Sequence, residues 1–147
     1  MQPRSLGGCS TIEELQQLLE DGETDRILVA ADIVLEEDSD IQLEAETSVT
    51  IDMNGNRLII PSGTYLRVSG PIRIEGDAPG RALIDIEGDF MLRGGAAIAA
   101  RGEACTAVLC RSPGVGLTTW DASVTSEGTR AGQLFGKAEK NAVWSMF

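Results

Sequence analysis

The sequence predicts an all-β chain wound into a short triangular tube of about four coils, behind one N-terminal helix. Three observations predict it. From Arg26 onward, apolar residues cluster in β-branched runs of three to five, mostly alternating and broken by turn residues. The runs recur in three interleaved series that share a period of about two dozen residues. The composition fits: 42% apolar and only 4% aromatic residues, with 17 glycines, suit a core of Ile, Leu, Val and Ala and a chain with many corners.

Taken in order, the opening MQPRSLGGCS contains no apolar stretch of the kind a secretory leader needs. Leu6-Gly7-Gly8-Cys9 is a chance match to the end of a lipoprotein signal. No leader is expected in the chain as given, and an extracellular or cell-surface location follows if it is cut from a longer precursor. Thr11 to Glu20 reads as a short amphipathic helix. Ser10 or Thr11 is the N-cap, with Glu13 or Glu14 at the capping-box position. Ile12, Leu15, Leu18 and Leu19 share a face, and Asp21-Gly22 ends the segment.

The strand runs follow: Ile27–Val29, Asp32–Leu35, Ile41–Leu43, Val49–Met53, Arg57–Ile60, Tyr65–Val68, Ile72–Ile74, Ala82–Ile86 and Phe90–Leu92. Corners fall at Glu37-Asp38-Ser39-Asp40, Asn54-Gly55, Pro61-Ser62-Gly63, Gly70-Pro71 and Gly88-Asp89. One series runs through Val34, Leu58, Leu83 and Ala107. A second has Leu43, Val68 and Leu92, and a third Leu28, Ile51, Ile74 and Ile98; each step is 23 to 25 residues. Three strands per period describe stacked coils around a shared core. Alternation turns Val49, Ile51 and Met53 inward, with Thr50 and Asp52 outward. Ile51, Leu58, Leu66, Val68, Ile74, Leu83, Leu92 and either Ile84 or Ile86 are the expected core.

The fourth coil carries smaller side chains at Gly94–Ala100 and Ala107–Cys110, and a partial fifth falls at Ala122–Thr125. The whole chain, 1–147, is then a single domain: a helical cap over 1–22, coils over 26–127, and a C-terminal cap or oligomerisation tail over 128–147. That tail holds Leu134, Phe135, Val143, Trp144, Met146 and Phe147, which would cover the last coil or meet a second chain as a homodimer.

Ser48-Val49-Thr50-Ile51-Asp52-Met53-Asn54-Gly55-Asn56-Arg57-Leu58 resembles the VTIDLNG-x-TL rung of pectin-lyase-like right-handed parallel β-helix proteins. The Thr11–Leu15 helix and Ile27–Leu35 resemble the helix and I-x-L-x-x-D-I-x-L opening of the same group, with Val29 in place of a Leu. The resemblance covers Thr11 to Glu75. It implies a right-handed parallel β-helix, and a module of bacterial secreted and cell-surface proteins, adhesin-like or carbohydrate-associated. The fold hosts lyases, hydrolases, adhesins and stalks alike, so function rests on the site.

Composition excludes several functions. Twelve Lys+Arg against 23 Asp+Glu leave a formal net charge of −11, which argues against nucleic acid and anionic membrane as partners. No run of eighteen apolar residues exists, so no membrane insertion is expected. There are no histidines, which removes His-dependent relays and metal sites. Cys9, Cys105 and Cys110 are too few for a disulfide framework. Cys105 and Cys110 either bridge or, the favoured reading, are two small apolar side chains.

Lyases of the resembled family use a calcium-binding carboxylate cluster and an Arg or Lys base. The local candidate is Asp85, Glu87 and Asp89, which alternate and would share an outward face of an extended chain if Ile84 and Ile86 point in. A second candidate pairs Asp52 with Glu75, 23 residues apart and hence stacked, with Arg57, Arg67 and Arg73 nearby in sequence. A solvated polar face is the favoured account of both. Glu36-Glu37-Asp38-Ser39-Asp40 lacks calcium-loop spacing and reads as an acidic corner. Gly94-Gly95 and Gly114-Val115-Gly116 lack the Lys-Ser/Thr partner of a phosphate loop and read as turns. No catalytic, cofactor-binding or metal residue is therefore assigned, and no cofactor is expected. The expected role is a non-catalytic structural or adhesion module that binds a glycan or protein weakly. The alternative is a carbohydrate-active enzyme, a polysaccharide lyase or glycoside hydrolase, acting as a fragment or oligomer.

Overall fold

The computed structural model describes residues 5–22, 24–77, 82–101, 106–110 and 116–126. These form mostly β structure with one helix: β1 (Ser5–Cys9), α1 (Ile12–Asp21), β2 (Thr24–Val29), β3 (Ile33–Val34), β4 (Asp40–Glu44), β5 (Val49–Asp52), β6 (Leu58–Ile60), β7 (Tyr65–Ser69), β8 (Ile72–Gly76), β9 (Ala82–Ile86), β10 (Asp89–Arg93), β11 (Ala97–Ala100), β12 (Thr106–Cys110), β13 (Gly116–Trp120) and β14 (Ser123–Ser126). The segments expected at 128–147 and around Cys105 lie outside the described residues.

The strands form three parallel sheets. One has six strands, β1-β2-β5-β8-β11-β14; the others have four, β13-β10-β7-β4 and β12-β9-β6-β3. From β2 onward every strand pairs with the strand three places along the chain, so consecutive strands belong to different sheets.

Where a strand alternates strictly, the expected register is the observed one. Leu43 lies opposite Val68 and Val68 opposite Leu92, and Ile51 lies opposite Ile74, which lies opposite Ile98. Three steps differ by one residue. Ile27, not Leu28, pairs with Ile51. Ile33, not Val34, pairs with Leu58, and Leu58 pairs with Ile84 rather than Leu83. The cause is local: Ile27-Leu28-Val29 and Ile33-Val34-Leu35 are unbroken apolar runs, so alternation cannot say which members face inward. A one-residue slip exchanges the two faces, and Val34 is accordingly 59% exposed while Ile33 is buried.

The core is continuous. Ile51, Leu58, Leu66, Val68, Ile74, Leu83, Leu92 and both Ile84 and Ile86 are buried in one cluster with Phe90 and Ile98. Corners are built for close stacking. At the Asn54-Gly55 corner both residues have positive φ, 54° and 82°, and the Asn54 and Asn56 side-chain amides both donate to the Val29 carbonyl of the adjoining segment.

The N-terminal region holds one more element than the sequence suggests. β1 pairs in parallel with β2, so α1 is the crossover between two neighbouring strands of the six-stranded sheet. Gly7 and Gly8 carry no side chains, which erases the alternation that marks a strand. Thr11 Oγ1 accepts from the Glu14 amide at 3.2 Å, and the Glu14 carboxylate accepts from the Ser10 amide at 2.7 Å. Gly22, at φ 73°, closes the helix. Ile12, Leu15 and Leu19 are buried against the sheets, and Gln16 Nε2 donates to the Gln42 carbonyl of β4 at 3.3 Å. Cys9 is buried beside this helix; burial and the nearby Glu14 carboxylate push its thiol pKa up. Thr11→Ala removes the cap and should lower stability by about 1 kcal/mol, read as a shift in the urea midpoint at constant slope.

Candidate functional site

The densest charged constellation lies on the outer face of the six-stranded sheet. Alternation along β5 and β8 turns Ile51 and Ile74 inward, and hence Asp52 and Glu75 outward. Because β5 and β8 are in register, the two carboxylates stand directly opposite each other, an arrangement that is repulsive by itself. Three arginines offset it. Arg26 Nη2 from β2 lies 2.8 Å from Asp52 Oδ2 and 3.7 Å from Glu75 Oε2. Arg73 Nε from β8 donates to Glu75 Oε1 at 2.9 Å. Arg101 Nη2, just past β11, lies 3.5 Å from Glu75 Oε2 and 3.9 Å from Asp52 Oδ1.

The cluster is layered. The Asp52 and Glu75 side chains are only 15% and 12% exposed, whereas those of Arg26, Arg73 and Arg101 are 47%, 53% and 44% exposed. Negative charge lies beneath and positive charge faces water. The Asp52–Glu75 pairing is the one read from spacing. Arg26 and Arg101 escaped that reading, although a signal exists: each lies 26 residues from a carboxylate, Arg26 from Asp52 and Arg101 from Glu75, which is one strand over and two positions along.

The other candidates separate. Asp85 lies in β9 and is 5% exposed, with its carboxylate 2.6 Å from Arg57 Nη2. Glu87 and Asp89 are exposed on either side of the Gly88 corner that leads into β10. The three do not share a face, because the chain changes sheet between Ile86 and Asp89. Among the described residues no three Asp, Glu, Cys or His side chains are grouped to hold a metal. Arg67 instead pairs with Asp40 at 2.6 Å and lies over the Tyr65 ring at 4.9 Å, on the outer face of the sheet that contains β4 and β7. The acidic run over 36–40 is largely exposed, with Ser39 half-buried.

A cleft of about 520 Å³ opens between the C-terminal end of α1 and the corner after β4. Leu19 and Val49 contribute apolar walls, and Glu20, Glu44 and Glu46 an acidic rim. Gly94 and Gly95 both have positive φ and form the turn between β10 and β11. Gly114 and Val115 lie outside the described residues. No helix among the described residues is long and apolar enough to cross a membrane.

No protein-family model matches the chain, and no curated protein or solved structure matches it.

Proposed function

We propose that the chain is a non-catalytic structural or adhesion-type module built as a right-handed parallel β-helix of the pectin-lyase-like kind, and that it binds a glycan weakly on an outer sheet face. The pairing of each strand with the one three places along supports the helical winding. Parallel crossovers are right-handed in the great majority of sheets, which supports the hand. Surface function is supported by the layered cluster of Arg26, Arg73 and Arg101 over Asp52 and Glu75. Fixed guanidinium and carboxylate groups on a flat, rigid sheet can hydrogen-bond sugar hydroxyls without reorganising.

The test is a glycan array with the purified chain, followed by incubation of every bound glycan and analysis of its chain length. Retention of intact glycans supports the module reading. New reducing ends or unsaturated products would replace it with the enzyme reading.

A further inference from the structure

We propose that the Arg26–Arg73–Arg101 cluster is a site for a sulfate half-ester on a glycan. The inference rests on the glycan-binding reading and names the group recognised. Its first ground is position. The described residues contain six arginines and no lysine, and three of the six converge here from β2, β8 and the end of β11. In a chain of net charge −11, this gathering stands out from the acidic background.

The second ground is preorganisation. Each guanidinium carries five N–H donors in a rigid fork. The contacts to Asp52 and Glu75 engage Nη2 of Arg26, Nε of Arg73 and Nη2 of Arg101, so each fork keeps further donors on its solvent side. Asp52 and Glu75 hydrogen-bond the Arg26 and Arg73 forks, and Arg101 is drawn to the same carboxylates at 3.5 and 3.9 Å. A ligand therefore meets donors whose side-chain entropy is already reduced.

The third ground is charge and shape. Three guanidiniums over two carboxylates leave one positive charge. A sulfate half-ester carries one negative charge and three terminal oxygens, one for each fork. A phosphate monoester near pH 7 carries nearly two negative charges and would leave the site net negative. A carboxylate offers only two oxygens.

The experiment is calorimetric titration of the full chain with a heparin-derived tetrasaccharide and with its desulfated form, at low salt. A short oligosaccharide limits repulsion by the acidic chain at long range. The expected result is binding of the sulfated form only, weakened at least tenfold in Arg101→Gln and in Arg26→Gln. Arg101→Lys and Arg26→Lys keep the charge that neutralises Asp52 and Glu75, and so keep the fold, but lose the fork; they too should weaken binding several-fold. Equal binding of both tetrasaccharides overturns the sulfate site and leaves the glycan reading standing. Undiminished sulfated binding in all four variants overturns the location. Sodium sulfate binding as tightly as the tetrasaccharide removes the glycan from the proposal. Absence of binding to either form overturns the sulfate site, and an empty glycan array beside it overturns the glycan reading as well.

Discussion

Arg57→Ala should lower the stability of the chain by about 3–5 kcal/mol, the cost of breaking a buried ion pair from one side. Asp85 is 5% exposed and its carboxylate lies 2.6 Å from Arg57 Nη2. Truncating the arginine leaves a buried carboxylate without that countercharge. Coulomb attraction lost at such a site is large, and solvent cannot replace it without opening the sheet. Replacing both partners, in Arg57→Leu/Asp85→Leu, removes the buried charge as well as the pair and should recover most of the loss. Urea unfolding of the two variants beside the parent chain measures the difference. A single-variant effect below about 1 kcal/mol would mean that the pair behaves as a surface pair.

Gly88→Ala should be at least as damaging, at about 4 kcal/mol or more, the exceptional end of single substitutions. Gly88 is buried at the corner between β9 and β10. A Cβ there would collide with the backbone carbonyl oxygens of both Pro61 and Thr64, in the corner one segment earlier. Those carbonyls cannot swing away as a side chain would. The Thr64 carbonyl also accepts from the Asp89 amide at 2.9 Å, and the Ile60 carbonyl accepts from Glu87 at 2.7 Å. Relief of the collision therefore breaks the stacking of the two corners. Gly8→Ala is the control, because its Cβ would meet only the Leu28 carbonyl oxygen, at 3.8 Å. It should shift the thermal midpoint by no more than an ordinary surface substitution.

The sequence carried much of this architecture because strict alternation survives in several strands. Ile41-Gln42-Leu43, Leu66-Arg67-Val68 and Phe90-Met91-Leu92 each have one polar or flexible residue between two inward ones, and their stacking follows from spacing alone. Unbroken runs such as Ile33-Val34-Leu35 hold no such mark, and there the register slips by one. β1 escaped because Gly7 and Gly8 present no side chains to pattern. For the site, Asp52 and Glu75 were legible as a stacked pair, since direct cross-strand neighbours recur at one period. Arg26 and Arg101 reach diagonally, and a long flexible side chain can meet several partners at that range. Asp85, Glu87 and Asp89 failed as a group for a simpler reason. Alternation predicts a shared face only while the chain stays in one strand, and a corner intervenes after Ile86.

The ladders from β2 onward join segments only 23 to 27 residues apart. Synthesis at about 5–20 residues per second delivers one such segment in about 1–5 s. Whole all-β domains dominated by non-local pairing fold in milliseconds to seconds, which does not exceed that interval. Each three-strand segment can therefore dock on a finished template before its successor leaves the ribosome. β2, already paired with β1 across the α1 crossover, offers the edge on which β5 docks. Assembly can then proceed in the direction of translation, because from β2 onward each strand's earlier sheet neighbour is already made when it emerges.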